Sequence, residues 1–239
     1  MRGLRHPAIP LAGGLFRRTI GRVPPPVRLY LVRHCDVENP RRVLYGYLPG
    51  FGLSAKGVSQ AHAIGRYLSG RPIRTIRTSP LERARQTAAI IAGHLDAPEV
   101  VPDPDLVEAR FSRYLQGVGY AQVPWRRPLW WVHMASPGLL RRDETVREMA
   151  ARVERALFLL LDAEPGSEGV GVSHGDPIQA FWIRSLGRPA WALHRLQCAK
   201  GGLLALDYDR RRLVDIKYLP PATLDAAAAP SPASDVSHA

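Results

Sequence analysis

The strongest constraint on this chain is a junction that recurs three times. A short apolar run of strand composition ends in polar residues and hands over to a helix-start signal. Val27–Arg33 (VRLYLVR) follows a Pro24-Pro25-Pro26 stop and has the composition of a buried strand. Residues 72–78 (PIRTIRT) read as a second strand, and Ser79-Pro80-Leu81-Glu82 behind it supplies an N-cap, a proline at N1 and a glutamate at N3. Residues 169–173 (GVGVS) read as a third, with Asp176-Pro177 opening the helix that follows. Strands alternating with helices argue an α/β fold around a largely parallel sheet.

The helices have matching periodicity. Ser54 can cap a helix whose apolar face runs Val58, Ala61, Ile64, Leu68, with Gly70 just past its end. The helix after Ser79 repeats Ala84, Ala88, Ile91, Leu95. Another, starting near Asp143, repeats Val146, Met149, Val153, Leu157, Leu160. Residues 203–208 and 213–218 look like a closing hairpin.

At the ends the pattern stops. Residues 1–26 carry five arginines, no acid and the proline run, which predicts a disordered basic extension or an upstream start-codon artefact. Their apolar stretch at 8–16 is short, broken by glycine and lacks a convincing signal-peptide cleavage site. Residues 223–239 are Ala/Pro/Ser-rich and expected to form a disordered tail, leaving 27–222 as one domain. No run approaches the roughly 18 apolar residues of a membrane span. Two cysteines, Cys35 and Cys198, are too few for a disulfide framework, and a reducing cytoplasm is the natural compartment.

A formal charge of +12 suits nucleic acid, anionic lipid or an acidic substrate. Only three of the 33 basic residues are lysines, Lys56, Lys200 and Lys217. With abundant Ala, Pro and Gly, that usage equally fits the codon bias of a GC-rich genome.

In open α/β sheets, ligands bind beyond the carboxyl ends of the strands. The first strand delivers Arg33-His34 there, the second Ser79 and, one helical turn on, Arg83, and the third Ser173-His174-Gly175. Two histidines, two arginines and a helix N-terminus, if convergent, suit a phosphate dianion.

The segments LVRHCDVEN, TSPLERARQTA and VSHGDPI resemble the signatures of the histidine phosphatase superfamily, which has the phosphoglycerate-mutase-like fold. That resemblance implies a three-layer sandwich with a mostly parallel central sheet flanked by helices. It also implies phosphohistidine chemistry with His34 as nucleophile. Arg33, Arg83 and His174 would hold the phosphoryl oxygens, and Asn39 would donate to phosphate. Glu108, in the LVEA segment, would be the proton shuttle, with Asp103 and Asp105 nearby as alternatives. Nearby cations keep His34 neutral and able to attack, while arginines and a protonated His174 supply positive charge without a metal. No cofactor is called for. The expected partner is a small phosphorylated metabolite, with no nucleic acid or membrane, and a homodimer is left open.

The sequence departs from the family pattern beside the nucleophile. Cys35 stands where glycine is usual, Asp36 where glutamate is commoner, and Val37 where a hydroxyl residue is frequent. Cys35 admits three readings: harmless packing, crowding that impairs activity, and redox sensitivity.

Several rivals remain. Gly171-Val172-Ser173-His174-Gly175 fits the nucleophile elbow of serine hydrolases, but the only acid between it and His194 is Asp176, too close to complete a triad. The eight histidines show no HExxH spacing; His6, His62, His94 and His238 read as solvent-facing or tail residues. The loop Pro124-Trp125-Arg126-Arg127-Pro128-Leu129-Trp130-Trp131 is either an aromatic cluster or a substrate lid. A phosphatase is the expected activity. A phosphoglycerate-mutase-type transferase and a weakly active phosphate-binding protein are the alternatives.

Overall fold

The computed structural model describes residues 27–135, 143–163 and 167–228. In chain order these form β1 (Val27–Arg33), α1 (Ala55–Leu68), β2 (Ile73–Thr78), α2 (Glu82–Ala92), β3 (Glu99–Pro102) and α3 (Ser112–Leu115). Then come α4 (Val123–Arg126), α5 (Leu129–Ala135), α6 (Val146–Ala163), β4 (Glu168–Ser173), α7 (Gly175–Ser185), β5 (Leu203–Asp209), β6 (Arg212–Leu219) and α8 (Pro221–Ala228). The basic extension at 1–26 and the chain from 229 on lie outside the described residues.

All six strands join one sheet in the order β3-β2-β4-β1-β5-β6. The first four are mutually parallel; β5 runs antiparallel to β1, and β6 antiparallel to β5. The sheet is sandwiched because alternate residues of a strand point to opposite faces. Tyr30 and Val32 pack with Ala61, Ile64 and Leu68 of α1 and with Ala84, Ala88 and Ile91 of α2. Leu29 and Leu31 pack with Val153, Leu157 and Leu160 of α6 and with Ile178 and Phe181 of α7. Burial on both faces is why β1 reads as a nearly unbroken apolar run. Truncating either leucine of β1 to alanine would cost about 2–5 kcal/mol.

Glycines bring α6 close to the sheet. A Cβ on Gly169 would sit 3.0 Å from Leu160 Cδ2 of α6, and one on Gly171 would press at 3.3 Å on Leu31 Cδ1 of the neighbouring strand. Among the described residues, no helix is long and apolar enough to cross a membrane.

Four expectations need correction. Helix α2 starts at Glu82 rather than at Ser79, and its N-cap residue Leu81 makes no side-chain cap bond. Glu82 closes no capping box; its carboxylate accepts from the Gly50 amide instead. Val58 is 38% exposed, because Gly57 faces inward against the Asp36 carbonyl, where a Cβ would come within 2.0 Å of the oxygen. The edge strand β3 and the short helices α3–α5 were not anticipated from periodicity, since each is too short to display one. The tail expected from 223 begins inside α8, whose Leu224 is buried in the layer that holds α1.

Candidate active site

The site follows from the register of the central strands. Arg33 of β1 pairs with Ser173 of β4, so the next residues, His34 and His174, leave the sheet side by side with ring centroids 5.1 Å apart. Thr78 of β2 pairs with Val172 of β4, which places Ser79 at the same edge. The three junctions recognised in the sequence therefore converge.

Hydrogen bonds fix the state of each imidazole. Nδ1 of buried His34 lies 2.8 Å from the carbonyl oxygen of Cys35. A carbonyl can only accept, so Nδ1 carries the proton and Nε2 keeps its lone pair. Burial first, then the Arg83 and Arg33 charges, hold His34 neutral far below the ordinary histidine range. His174 has the opposite tautomer. Arg83 Nη2 donates to its Nδ1 at 3.1 Å, so Nε2 carries hydrogen and donates to Ser79 Oγ at 2.7 Å. Burial, Arg83 and His34 push its pKa well down. His174 is thus a neutral donor in this structure, which corrects the expectation of a protonated imidazole.

Ser79 explains the late start of α2. Its hydroxyl oxygen also accepts from the Leu81 amide at 3.3 Å, so it binds the histidine and a turn rather than the helix end. Arg83, one turn further, is 1% exposed. Its Nη2 also donates to Gly46 O at 3.0 Å, and its guanidinium sits 4.7 Å above the Tyr45 ring. Arg33 Nη1 donates to Cys198 O at 2.6 Å. The Nε atoms of both arginines are buried without an acceptor among the described residues. Gly175 closes the arrangement at the N-terminus of α7; a Cβ there would lie 3.1 Å from the Arg33 guanidinium carbon.

Glu108 faces this group. Its Oε2 is 3.7 Å from His174 Nδ1 and 3.9 Å from Arg83 Nη2, and its Oε1 accepts from the Ala109 amide at 2.9 Å. Burial, then the Asp176 charge, raise its pKa to about 7 against the opposing pull of Arg83. A carboxyl so placed can both give and take a proton near neutrality. Three contacts hold its segment: Ser173 Oγ donates to Leu106 O, Arg152 Nη1 to Val107 O, and Tyr47 Oη to Glu108 O.

The alternative acids are committed elsewhere. Asp103 pairs with Arg77 at 2.7 Å, and Asp105 is gripped by two nitrogens of Arg155. The side-chain amide of Asn39 brackets Val43, donating to the carbonyl at 2.8 Å and accepting from the amide at 3.1 Å. Cys35 points into the core with Tyr30 and Ala84, and burial pushes its thiol up to about 12. That favours packing over redox sensitivity. Ser173, buried and donating to Leu106, is spoken for as a nucleophile. His62 and His94, solvent-facing by sequence, meet each other, with Nδ1 and Nε2 2.8 Å apart. A cavity of about 1050 Å³ lined by Tyr47, Val107, Phe111 and Arg152 touches neither His34 nor His174.

Sequence reading missed Ser79 as a partner of His174, Tyr45 beneath Arg83, and Lys200, whose ammonium pairs with Asp36 at 2.9 Å. Only the aromatic pair in Tyr45-Gly46-Tyr47, flanking a glycine, offered a signal.

Paired histidines and arginines at the carboxyl edge of a mostly parallel sheet, with a titratable carboxyl opposite, define a phosphoryl-handling α/β protein. Residues 29–217 match the model of the histidine phosphatase superfamily (branch 1), and the chain belongs to that family. It is 38% identical over 205 residues to the uncharacterized protein Rv0525 of Mycobacterium tuberculosis, covering 84% of this chain and 100% of that one. It is 32% identical over 189 residues to a probable phosphoglycerate mutase, GpmB, of Cronobacter sakazakii, covering 77% and 86% of the two chains. Among solved structures, Bacillus stearothermophilus YhfR superposes with a TM-score of 0.70 at 21% identity, covering 79% of this chain and 94% of that one. The mycobacterial glucosyl-3-phosphoglycerate phosphatase Rv2419c superposes with a TM-score of 0.66 at 23% identity, covering 81% of this chain and 97% of that one.

Proposed function

We propose that this protein is a metal-independent phosphomonoester hydrolase that passes the phosphoryl group through His34 on its way to water. The observation that carries the reading is the tautomer of His34. Its Nδ1–H is held by the Cys35 carbonyl, so the lone pair of Nε2 is free for attack beside two buried guanidinium groups.

In the first step Nε2 of His34 attacks phosphorus, an N–P bond forms and the ester P–O bond breaks. Glu108 in its protonated form gives its proton to the departing alcohol oxygen. In the second step the Glu108 carboxylate takes a proton from water, whose oxygen attacks phosphorus. The N–P bond breaks and inorganic phosphate leaves. Arg33, Arg83 and the α7 N-terminus balance the phosphoryl charge, and the Nε2–H of His174 joins them when it turns from Ser79 to a phosphoryl oxygen. The orphaned Nε–H groups of the arginines supply further donors. With that much positive charge in place, the chemistry calls for no metal ion. The substrate class that fits is a small phosphorylated metabolite.

The test is chemical trapping. Alkaline denaturing quench after mixing with labelled substrate should leave acid-labile, base-stable phosphate on the protein and none on His34→Ala. Turnover of p-nitrophenyl phosphate should persist in EDTA; loss restored by a divalent ion would refute the reading. The likeness to GpmB favours a second outcome, return of the phosphoryl group to the product alcohol. A positional isomer formed from a phosphoglycerate, in place of inorganic phosphate, would establish it. A phosphate-binding protein without catalysis would show neither product.

A further inference from the structure

Glu108 is aimed by its backbone. Among the described residues its carboxylate takes one hydrogen bond, from the amide of the next residue, Ala109. Its distances of 3.7 Å to His174 and 3.9 Å to Arg83 exceed hydrogen-bond length. Among the described residues no strand pairs with the chain around it. That chain leaves a 3-10 turn at Pro104–Leu106 and reaches α3 only at Ser112. A stretch without a ladder must find other partners for its carbonyls, and four in succession bond to side chains. The carbonyls of Asp105 and Val107 both accept from Nη1 of Arg152, that of Leu106 from Ser173 and that of Glu108 from Tyr47.

Arg152 reaches this segment from α6. Both hydrogens of Nη1 are used, one on a carbonyl to each side of Leu106, and Nε donates to Glu144 Oε1 at 2.7 Å. The other carboxylate oxygen, Oε2, accepts from the Arg110 amide at 3.2 Å. The two side chains thereby close a ring around Glu108, with the guanidinium on carbonyls before it and the carboxylate on an amide after it. Both are buried, Glu144 at 3% exposure and Arg152 at 8%. A buried ion pair is often no more stabilising than apolar residues of like volume, so stability alone is a weak reason for this one.

We propose that Arg152 and Glu144 are the positioning pair of Glu108, holding residues 105–110 so that its carboxyl meets the leaving oxygen of the substrate. Both act through the backbone that carries Glu108 and not on the reacting atoms. A carboxyl displaced by a fraction of its reach still titrates but delivers its proton poorly, so the steps that need that proton suffer and the others do not. This inference rests on the hydrolase reading, in which Glu108 gives a proton to the departing alcohol.

The experiment measures single-turnover phosphorylation of His34 in the full chain by propyl phosphate and by p-nitrophenyl phosphate. Arg152→Lys keeps the charge beside Glu144 but cannot reach both carbonyls and the carboxylate together. Arg152→Met with Glu144→Gln removes both charges, leaves no unpaired ion buried and keeps an oxygen for the Arg110 amide. In each, propyl phosphate should react about 10–100-fold more slowly and p-nitrophenyl phosphate less than about three-fold. Rate constants are read in place of amplitudes, so a partly unfolded sample does not imitate the effect, and circular dichroism checks the fold. In the Glu108→Gln background, Arg152→Lys should slow propyl phosphate by less than about two-fold more, since nothing is left to position. Equal slowing of the two phosphates, wild-type rates in either variant, or a propyl phosphate loss that persists in full without the Glu108 carboxyl would overturn the pair while the acid assignment stands. If wild-type His34 takes no phosphate, or Glu108→Gln alone slows both phosphates alike, the hydrolase reading or its acid fails and the pair falls with it.

Discussion

The hydroxyl of Ser173 donates to the carbonyl oxygen of Leu106 across 2.8 Å, so the residue preceding His174 anchors the segment that carries Glu108. The serine of an apparent nucleophile elbow is here a strut. Ser173→Ala should leave a buried carbonyl with one fewer donor and cost about 1–3 kcal/mol, read by urea unfolding. Its turnover should fall only several-fold, whereas His34→Ala should lose several orders of magnitude. A dead serine variant with an active histidine variant would restore the esterase reading.

Glu108→Gln should separate substrates by leaving group. An alkoxide needs a proton to depart and a nitrophenolate does not, so single-turnover phosphorylation by alkyl phosphates should drop about 10²–10⁴-fold. Aryl phosphates should lose far less. In the wild type the alkyl reaction needs the protonated acid, so its rate should decline as pH rises through about 7. Equal losses for both classes would reduce Glu108 to a shaping role.

The same carboxyl leaves a mark on stability. Its folded pKa, about 7, lies above the ordinary value of 4.5, so the folded state holds this proton more tightly than the unfolded chain. The stabilisation is full below pH 4.5 and is lost as pH rises towards 7. Glu108→Gln should therefore be more stable than wild type at pH 8, by on the order of 1–3 kcal/mol, with the gain vanishing in acid. Asp176→Asn removes the negative charge that helps raise this pKa, and should move the alkaline limb of the alkyl-phosphate profile to lower pH. An unmoved limb would detach Asp176 from the acid.

Cys35→Gly should destabilise the protein. The thiol fills a fully buried place among Tyr30, Ala84 and other core residues, and glycine would leave a void and loosen the backbone, about 1–3 kcal/mol together. Peroxide should not inhibit through this thiol. A higher Tm for the glycine variant would show that the cysteine crowds its loop.

The parts legible in the sequence were those with a repeating period or a strand-end position. The helix at 146–163 announced itself by Met149, Val153, Leu157 and Leu160, all buried, and His34, Arg83, Glu108 and His174 came together as expected. Asn39 has a second task that the sequence did not show, since an asparagine near a phosphate loop can also bracket its own turn, and here its amide oxygen and nitrogen both bond Val43. Ser79 looked like a helix cap because its spacing to Glu82 satisfies that rule. A tertiary partner, His174, outweighed it. The chain between 104 and 135 gave little because its turns and short helices hold position by isolated contacts such as Phe111 on His133.

One hydrogen-bonded register, Arg33 opposite Ser173, sets two histidines that are 140 residues apart in sequence beside each other. Slipping that ladder by a single residue would turn one strand's side chains to the other face. Catalysis thereby becomes a clock for folding. The pairing of β1 with β4 closes a long loop and belongs to the slow, long-range events of assembly. Refolding chains should regain helical signal first and turnover last, since a molecule with every helix formed but its central strands unpaired has no site at all.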